Sequence, residues 1–179
     1  MRAVSFNVTI PGYLLGKGLG RVTEAAYFGA PSGLRYAEVS EPGLPGRDWV
    51  RLEVLQAGIC GSDLGALTFE TSPAMEPFSS FPAVLGHEIL ARVIEVGPDV
   101  RRVEVGQRVA VDPVISCTMR GFGGGQRCPS CASGLPGTCE RSGEEGEIFV
   151  GGQRLRRGLT IGFQADLPGG WGERMIAQE

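Results

Sequence analysis

The sequence predicts a mainly β protein, a barrel or sandwich of short strands with a cysteine-bearing lobe set into it. Three observations lead there. Glycine (29) and proline (12) are abundant among 179 residues and aromatics make up only 7%, a mixture that suits short strands and many turns better than a helical bundle. Strand-like segments recur at intervals of roughly ten residues, as in barrels and sandwiches. Finally, four of the five cysteines fall within the 23 residues from Cys117 to Cys139.

Taken in order, "RAVSFNV" reads as an opening strand. "PGYLLGKGLGRVTEAAYFGAPSG" follows as an inserted excursion, with Gly16–Gly20 a flexible turn and "RVTEAAYF" of ambiguous type. Strand signals resume at "LRYAEVSE". In "WVRLEVLQAGI", Val50, Leu52 and Val54 alternate with Arg51 and Glu53, the period of a half-buried strand. A loop, "TFETSPAMEPFSSFP", precedes two more β segments, "EILARVIEVG" and "QRVAVDPVI". From Cys117 to about Gly152 the chain is turn-dense and predicts a lobe with little regular structure. "LTIGFQADLPGGWGERMIAQE" returns to strand character.

Composition excludes several classes. Net charge is −3, and the arginines are scattered among acids apart from "RLRR" at 154–157. No concentrated basic face for nucleic acid follows from that. No apolar run approaches the ~20 residues that span a bilayer, and Asn7, Thr9 and Pro11 interrupt any signal-like core. A soluble, cytoplasmic protein is the expectation, with its cysteines as thiols or metal ligands. Neither "GKGLGR" nor "GFGGGQ" makes G-x-G-x-x-G in a strand–turn–helix setting, so no dinucleotide cradle is predicted.

Cys128 and Cys131 form C-x2-C, with Cys117 before and Cys139 after. Four thiolates so spaced suit a tetrahedral structural zinc, which would stand in for a hydrophobic core where few apolar residues are available. The competing reading is free thiols in a disordered loop. His87, the only histidine, lies in "VLGHEILARVIEVG", 27 residues after Cys60 in "AGICGSD". Each alone reads as an ordinary core or surface residue. Together they could share a second zinc, with Asp63 accepting the proton on the far ring nitrogen of His87.

"AGICGSD", "GHEILARVIEVG" with "VGQRVAVDPVI", and the Cys117–Cys139 lobe together resemble the zinc-dependent medium-chain alcohol dehydrogenase family, specifically its N-terminal GroES-like catalytic domain. Residues 48–140 fit well; Met1–Val8 and Leu34–Pro45 fit loosely. The resemblance implies a partly open GroES-like β barrel over residues 1–179, with a structural-zinc lobe at about 117–140. It makes Cys60 and His87 catalytic zinc ligands, with Glu88 beside them and able to reach the metal. Ser62 would hydrogen-bond the substrate oxygen, Asp63 would orient His87, and Cys117, Cys128, Cys131 and Cys139 would hold structural zinc. Two alternatives stay open: Glu88 as a buried carboxylate paired with an arginine such as Arg108, and Ser62 as a turn-capping hydroxyl.

Four departures accompany the resemblance. Ten residues separate Cys117 from Cys128 where the family usually has two, so "TMRGFGGGQR" must loop out and Cys117 is the weakest ligand candidate. Ala91 replaces a usual glycine. "LGALTF" lacks a histidine that many relatives use to pass a proton to solvent. Family members are about twice as long, with a Rossmann domain for NAD or NADP after the barrel and a third catalytic-zinc ligand near its start. This chain is therefore expected to be a truncated portion, inactive alone, of a homo-oligomeric enzyme converting a small alcohol to an aldehyde or ketone. Phe69, Met75, Phe78 and Phe81 are candidates to line its substrate cleft, or equally to be core. The alternatives are a non-enzymatic zinc-binding β module with a structural or redox-sensing lobe, and a zinc-free reductase relative, against which the cysteines speak.

Overall fold

The computed structural model describes residues 1–71 and 75–179; residues 72–74 of the predicted cleft-lining loop lie outside them. The architecture is mainly β, built as open sheets. The larger sheet has the antiparallel order β6-β5-β3-β9, from β3 (Trp49–Ala57), β5 (Ile89–Val96), β6 (Arg108–Val111) and β9 (Arg174–Gln178). The smaller has the order β2-β1-β4, from β1 (Arg2–Phe6), β2 (Leu34–Glu38) and β4 (Ala83–Val84). A bridge between Ala3 and Gly172 ties the two sheets together. A hairpin of β7 (Phe149–Val150) and β8 (Gln153–Arg154) stands apart.

Alternation in β3 does what its sequence predicts. Leu52 turns inward, 1% exposed, onto a core shared with Trp49, Val93, Met175 and Ile176. Arg51 and Glu53 face outward opposite Glu95 and Arg92 on β5, giving ion pairs at 2.6 and 3.6 Å. Opposite charges across a non-core face favour this register over a one-residue slip, which would bury them. Ala91 is fully buried, paired with Val54 on one side and Val109 on the other.

Two expectations are corrected. Gly16–Gly20 is not a flexible turn but the end of helix α1 (Ile10–Gly20), capped by Thr9, whose hydroxyl accepts from Gly12 N–H at 3.1 Å. Two of its glycines serve close approach: a Cβ at Gly16 would lie 2.3 Å from Phe69 Cε2, and one at Gly20 would lie 2.0 Å from Tyr27 Cζ. Glycine's poor helix propensity is overridden by packing of α1 on aromatic rings. "RVTEAAYF" resolves into a short 3-10 turn at Glu24–Tyr27. The second correction concerns "LTIGFQAD", which forms only one bridge, Val114 to Thr160, instead of a strand. The side chains there bond to each other: Asp166 accepts from Gln164 and from Arg156, and the backbone turns around them. Among the described residues no helix is long and apolar enough to cross a membrane.

Candidate metal and active site

Strand register brings the first set of candidate residues together. Ala57 at the end of β3 pairs with Ile89 at the start of β5, and Gly58 N–H donates to Glu88 C=O at 2.9 Å. Cys60 and His87 therefore leave the sheet at the same end. Gly86 makes the turn into His87 with φ +88°, where a side chain would be strained and its Cβ would sit 2.4 Å from Trp171 Cδ1. Trp171 Nε1 donates to Gly58 C=O at 3.1 Å and holds this junction.

Cys60 caps helix α2 (Gly61–Leu67), and Asp63 in its first turn folds back so that Oδ2 accepts Cys60 N–H at 2.9 Å. The other oxygen, Oδ1, lies 3.4 Å from His87 Nδ1. Asp63 is fully buried. On the opposite side of the ring, His87 Nε2 is 3.3 Å from Ser62 Oγ. The Asp63 carboxylate raises the His87 pKa to about 9 against the opposing effect of burial, with Cys60 adding to the rise. Hydrogen bonding from Ser62, then His87, lowers that of Cys60. One carboxylate thus stands against Nδ1, and Nε2 faces the Ser62 hydroxyl, with the Cys60 thiol close enough to interact with both. That is a donor set for a borderline-soft cation.

Glu88 is exposed, with its carboxylate lying over Gly58. It makes no ion pair among the described residues, so the alternative of a buried partner for Arg108 is corrected. Cys60, His87 and Glu88 do not gather as a three-donor cluster among the described residues, where only the lobe cysteines do. The first site offers two close protein donors.

Ser62 also lines a cavity of about 590 Å³, together with Thr9, Tyr13, Met75, Phe81 and Phe163. Of the four candidate cleft residues, Met75 and Phe81 line it. Phe69 does not: it is fully buried against Phe6, Tyr13 and Tyr27 and belongs to the core, and Phe78 also lies away from the cavity. Tyr13 and Thr9 come from the inserted helix region, where the sequence carried no signal that they would reach Ser62.

In the lobe all four predicted cysteines converge. Their sulfurs lie within 4.8 Å of one another and all are buried, with Cys117 Sγ and Cys139 Sγ 3.7 Å apart. Tetrahedral zinc with Zn–S of ~2.3 Å requires sulfur–sulfur edges of about 3.8 Å, so the donor set fits that ion. Cys128 caps the short helix α3 (Pro129–Ala132), its sulfur accepting Cys131 N–H at 3.4 Å. Cys117 Sγ accepts Cys128 N–H at 3.4 Å, and Cys131 Sγ accepts Cys117 N–H at 3.5 Å. The Cys131 N–H lowers the Cys128 thiol to about 6, while burial pushes Cys139 up to about 12 and Cys117 upward as well. Thiols so close cannot all ionise without a cation between them.

The ten inserted residues do not simply loop out, and Cys117 is not peripheral. Met119, Arg120 and Phe122 turn inward, at 7%, 0% and 3% exposure, while Gly123–Gln126 stay outside. Phe122 N–H donates back to Cys117 C=O at 2.9 Å, closing the insert beside the cluster. Nothing in the sequence marked Arg120 as buried. Arginine is rarely so.

The alcohol dehydrogenase GroES-like domain model matches residues 46–179. An L-galactonate-5-dehydrogenase of Escherichia coli is 35% identical over 98 residues, covering 55% of this chain and 25% of that protein. A Mycobacterium tuberculosis protein bearing the name probable zinc-binding alcohol dehydrogenase is 38% identical over 127 residues, covering 71% of this chain and 27% of its own length. The chain thus spans about a quarter of these relatives. The crystal structure of galactitol-1-phosphate dehydrogenase from Escherichia coli superposes on 100% of this chain and 36% of that one, with a TM-score of 0.61 at 22% identity. That likeness bears on the fold.

Proposed function

This chain belongs to the alcohol dehydrogenase GroES-like domain family, and from that premise we propose that it is the catalytic-domain portion of a zinc-dependent alcohol or polyol dehydrogenase. The reaction would convert a small alcohol to an aldehyde or ketone, or the reverse, with NAD or NADP as hydride carrier. The observation that carries this reading is the line Asp63–His87–Ser62 beside Cys60, opening on the 590 Å³ cavity.

Cys60 and His87 would hold the catalytic metal, and Glu88, exposed at the same junction, would approach it during ligand exchange. Zinc, when bound, supplies Lewis acidity that brings an alcohol's ionisation toward neutral pH. Asp63 keeps the Nδ1 proton of His87 in place, so that Nε2 presents its lone pair. Ser62 would take the hydroxyl proton of an alcohol seated at the mouth of the cavity while giving its own proton to water. The apolar surfaces of Tyr13, Phe81 and Phe163 exclude water and seat the carbon skeleton. Cys117, Cys128, Cys131 and Cys139 would hold a second zinc whose role is to fold the lobe. Free thiols at all five cysteines go with a reducing, cytoplasmic setting. The 179 residues on their own are expected not to turn over an alcohol with NAD(P), and the full-length enzyme to be a homo-oligomer.

A second reading rests on the lobe cysteines gathering independently of Cys60 and His87: a non-enzymatic zinc-binding β module. Zinc titration against a chromophoric chelator separates the two. Two equivalents per chain, the weaker abolished by His87→Ala and by Cys60→Ser, support the dehydrogenase reading. One equivalent indifferent to both substitutions overturns it in favour of the module.

A further inference from the structure

Arg120 is the one arginine among the described residues that is fully buried. Its Nη1 donates to Glu144 C=O at 3.1 Å, and its Nη2 donates to Ser142 C=O at 3.4 Å and to Gly158 C=O. Its Nε is buried without a hydrogen-bond partner. Arg141 nearby differs: it pairs with the Glu144 carboxylate at 2.8 Å and lies 3.5 Å over the Phe122 ring. Arg120 makes no ion pair with a carboxylate among the described residues. A guanidinium does not give up its proton in proteins, and an unpaired buried charge is costly. Carbonyl dipoles solvate it in part. They carry no net charge.

The segments packed around it carry the thiols. Arg120 N–H donates to Cys117 C=O at 3.1 Å, and Ser142, whose carbonyl takes Nη2, donates its own N–H to Cys139 C=O at 3.2 Å, so the residue is tied to the segments that carry both cysteines. Burial pushes the Arg120 pKa down; opposing it are the sulfurs of Cys139 and Cys117, ahead of the Glu144 carboxylate. Four thiolates around one divalent ion leave two net negative charges at a centre whose cysteines are all buried. Three N–H···S bonds share that excess, but a full positive charge offsets more of it.

We propose that Arg120 is the counter-cation of the four-cysteine centre. The inserted segment delivers a buried positive charge that balances the thiolates and tightens the site's hold on its metal. This rests on the zinc reading of the lobe and adds to it a residue that acts on the metal through its ligands. It also gives the ten-residue insertion a function at the point where it interrupts the cysteine spacing.

The test is zinc affinity of the whole chain, by chelator competition, for wild type, Arg120→Met and Arg120→Lys, each also in a Cys128→His background. Arg120→Met should weaken zinc binding by about 10- to 100-fold, the range for partners of metal ligands. Arg120→Lys, which keeps the charge without the planar fork, should recover most of it. With Cys128→His one thiolate becomes neutral, so Arg120→Met should then cost a smaller factor. Equal loss in the Lys and Met variants would assign the effect to the carbonyl hydrogen bonds and overturn the proposal, as would an unchanged factor in the His background. Should Arg120→Met fail to fold by circular dichroism, Arg120→Lys decides: near-wild-type affinity supports the proposal and a loss of about 10-fold or more overturns it. If wild type binds no zinc that Cys131→Ser removes, the zinc reading itself fails. If it binds such zinc and Arg120→Met leaves the affinity unchanged, only the role of Arg120 fails.

Discussion

Oδ1 of Asp63 and Nδ1 of His87 face each other across 3.4 Å, and neither atom has a hydrogen-bond partner among the described residues. Both are buried, so each is the other's compensation. The contact is long for a hydrogen bond between neutral groups, and its worth is electrostatic. Everything on the far side of the ring depends on it.

His87 is the only histidine, so its imidazole gives a single, unambiguous NMR titration. In metal-free protein it should titrate near pH 9, where Asp63 holds it. Asp63→Asn, which can still accept Cys60 N–H, should bring it back toward the unperturbed value of about 6.5. A folded-state pKa raised above the unfolded one favours the folded state at low pH. This contribution is therefore full below about pH 6.5 and is lost as pH rises through about 9. It amounts to no more than about 3 kcal/mol. Urea melts of wild type and Asp63→Asn across that window check it: the difference should shrink as pH climbs.

Gly16 and Gly18 of α1 should respond oppositely to alanine. A Cβ at Gly16 runs into Phe69, whereas at Gly18 nothing lies within 4 Å. Helix propensity favours both changes by up to about 1 kcal/mol, but overpacking at Gly16 costs about 1–3 kcal/mol. Gly18→Ala should raise Tm and Gly16→Ala should lower it. Equal shifts would mean that α1 does not pack on Phe69.

Asp166 is a structural carboxylate that sequence reading passed over. It is 8% exposed and accepts from Arg156 Nη2 at 2.6 Å, Arg156 N–H at 2.8 Å, and Gln153 and Gln164 side chains at 2.9 Å. Burial pushes its pKa up, but these donors, Arg156 foremost, outweigh burial and leave it lowered. Its contribution is present above the unfolded aspartate value of about 3.9 and lost as pH falls through the folded one. Asp166→Ala strips a buried pair of its anion and should cost about 3 kcal/mol at pH 7 in a denaturant melt. At pH near 3 that penalty should be smaller.

Chelation should act on the lobe before the sheets. The sulfurs are held by three N–H donors and little apolar packing, with Phe122 and Leu159 the apolar side chains against their cluster among the described residues. Removing zinc with a strong chelator should therefore free amide exchange across 117–144 while strands β3, β5 and β9 stay protected. Uniform loss of protection would show the sheets and lobe to be one cooperative unit.

What the sequence determined by itself is local or repeats over short distances. The alternation of Val50 and Leu52 with Arg51 and Glu53 and the C-x2-C pair each carry their meaning within a few residues, because a strand's faces and a metal hairpin are set by neighbours along the chain. The resemblance then joined Cys60 to His87. Tertiary structure decided what depends on partners far away. Glycine-rich α1 is helical because Phe69 and Tyr27 receive its bare faces. Phe69 is core and Phe81 is cleft for the same reason, the surfaces that happen to meet them. Arg120, a residue whose type predicts solvent, is buried because folding brings the carbonyls of Glu144, Ser142 and Gly158 around it. Burial of a charge is a property of its surroundings, and those are assembled only when the chain has folded.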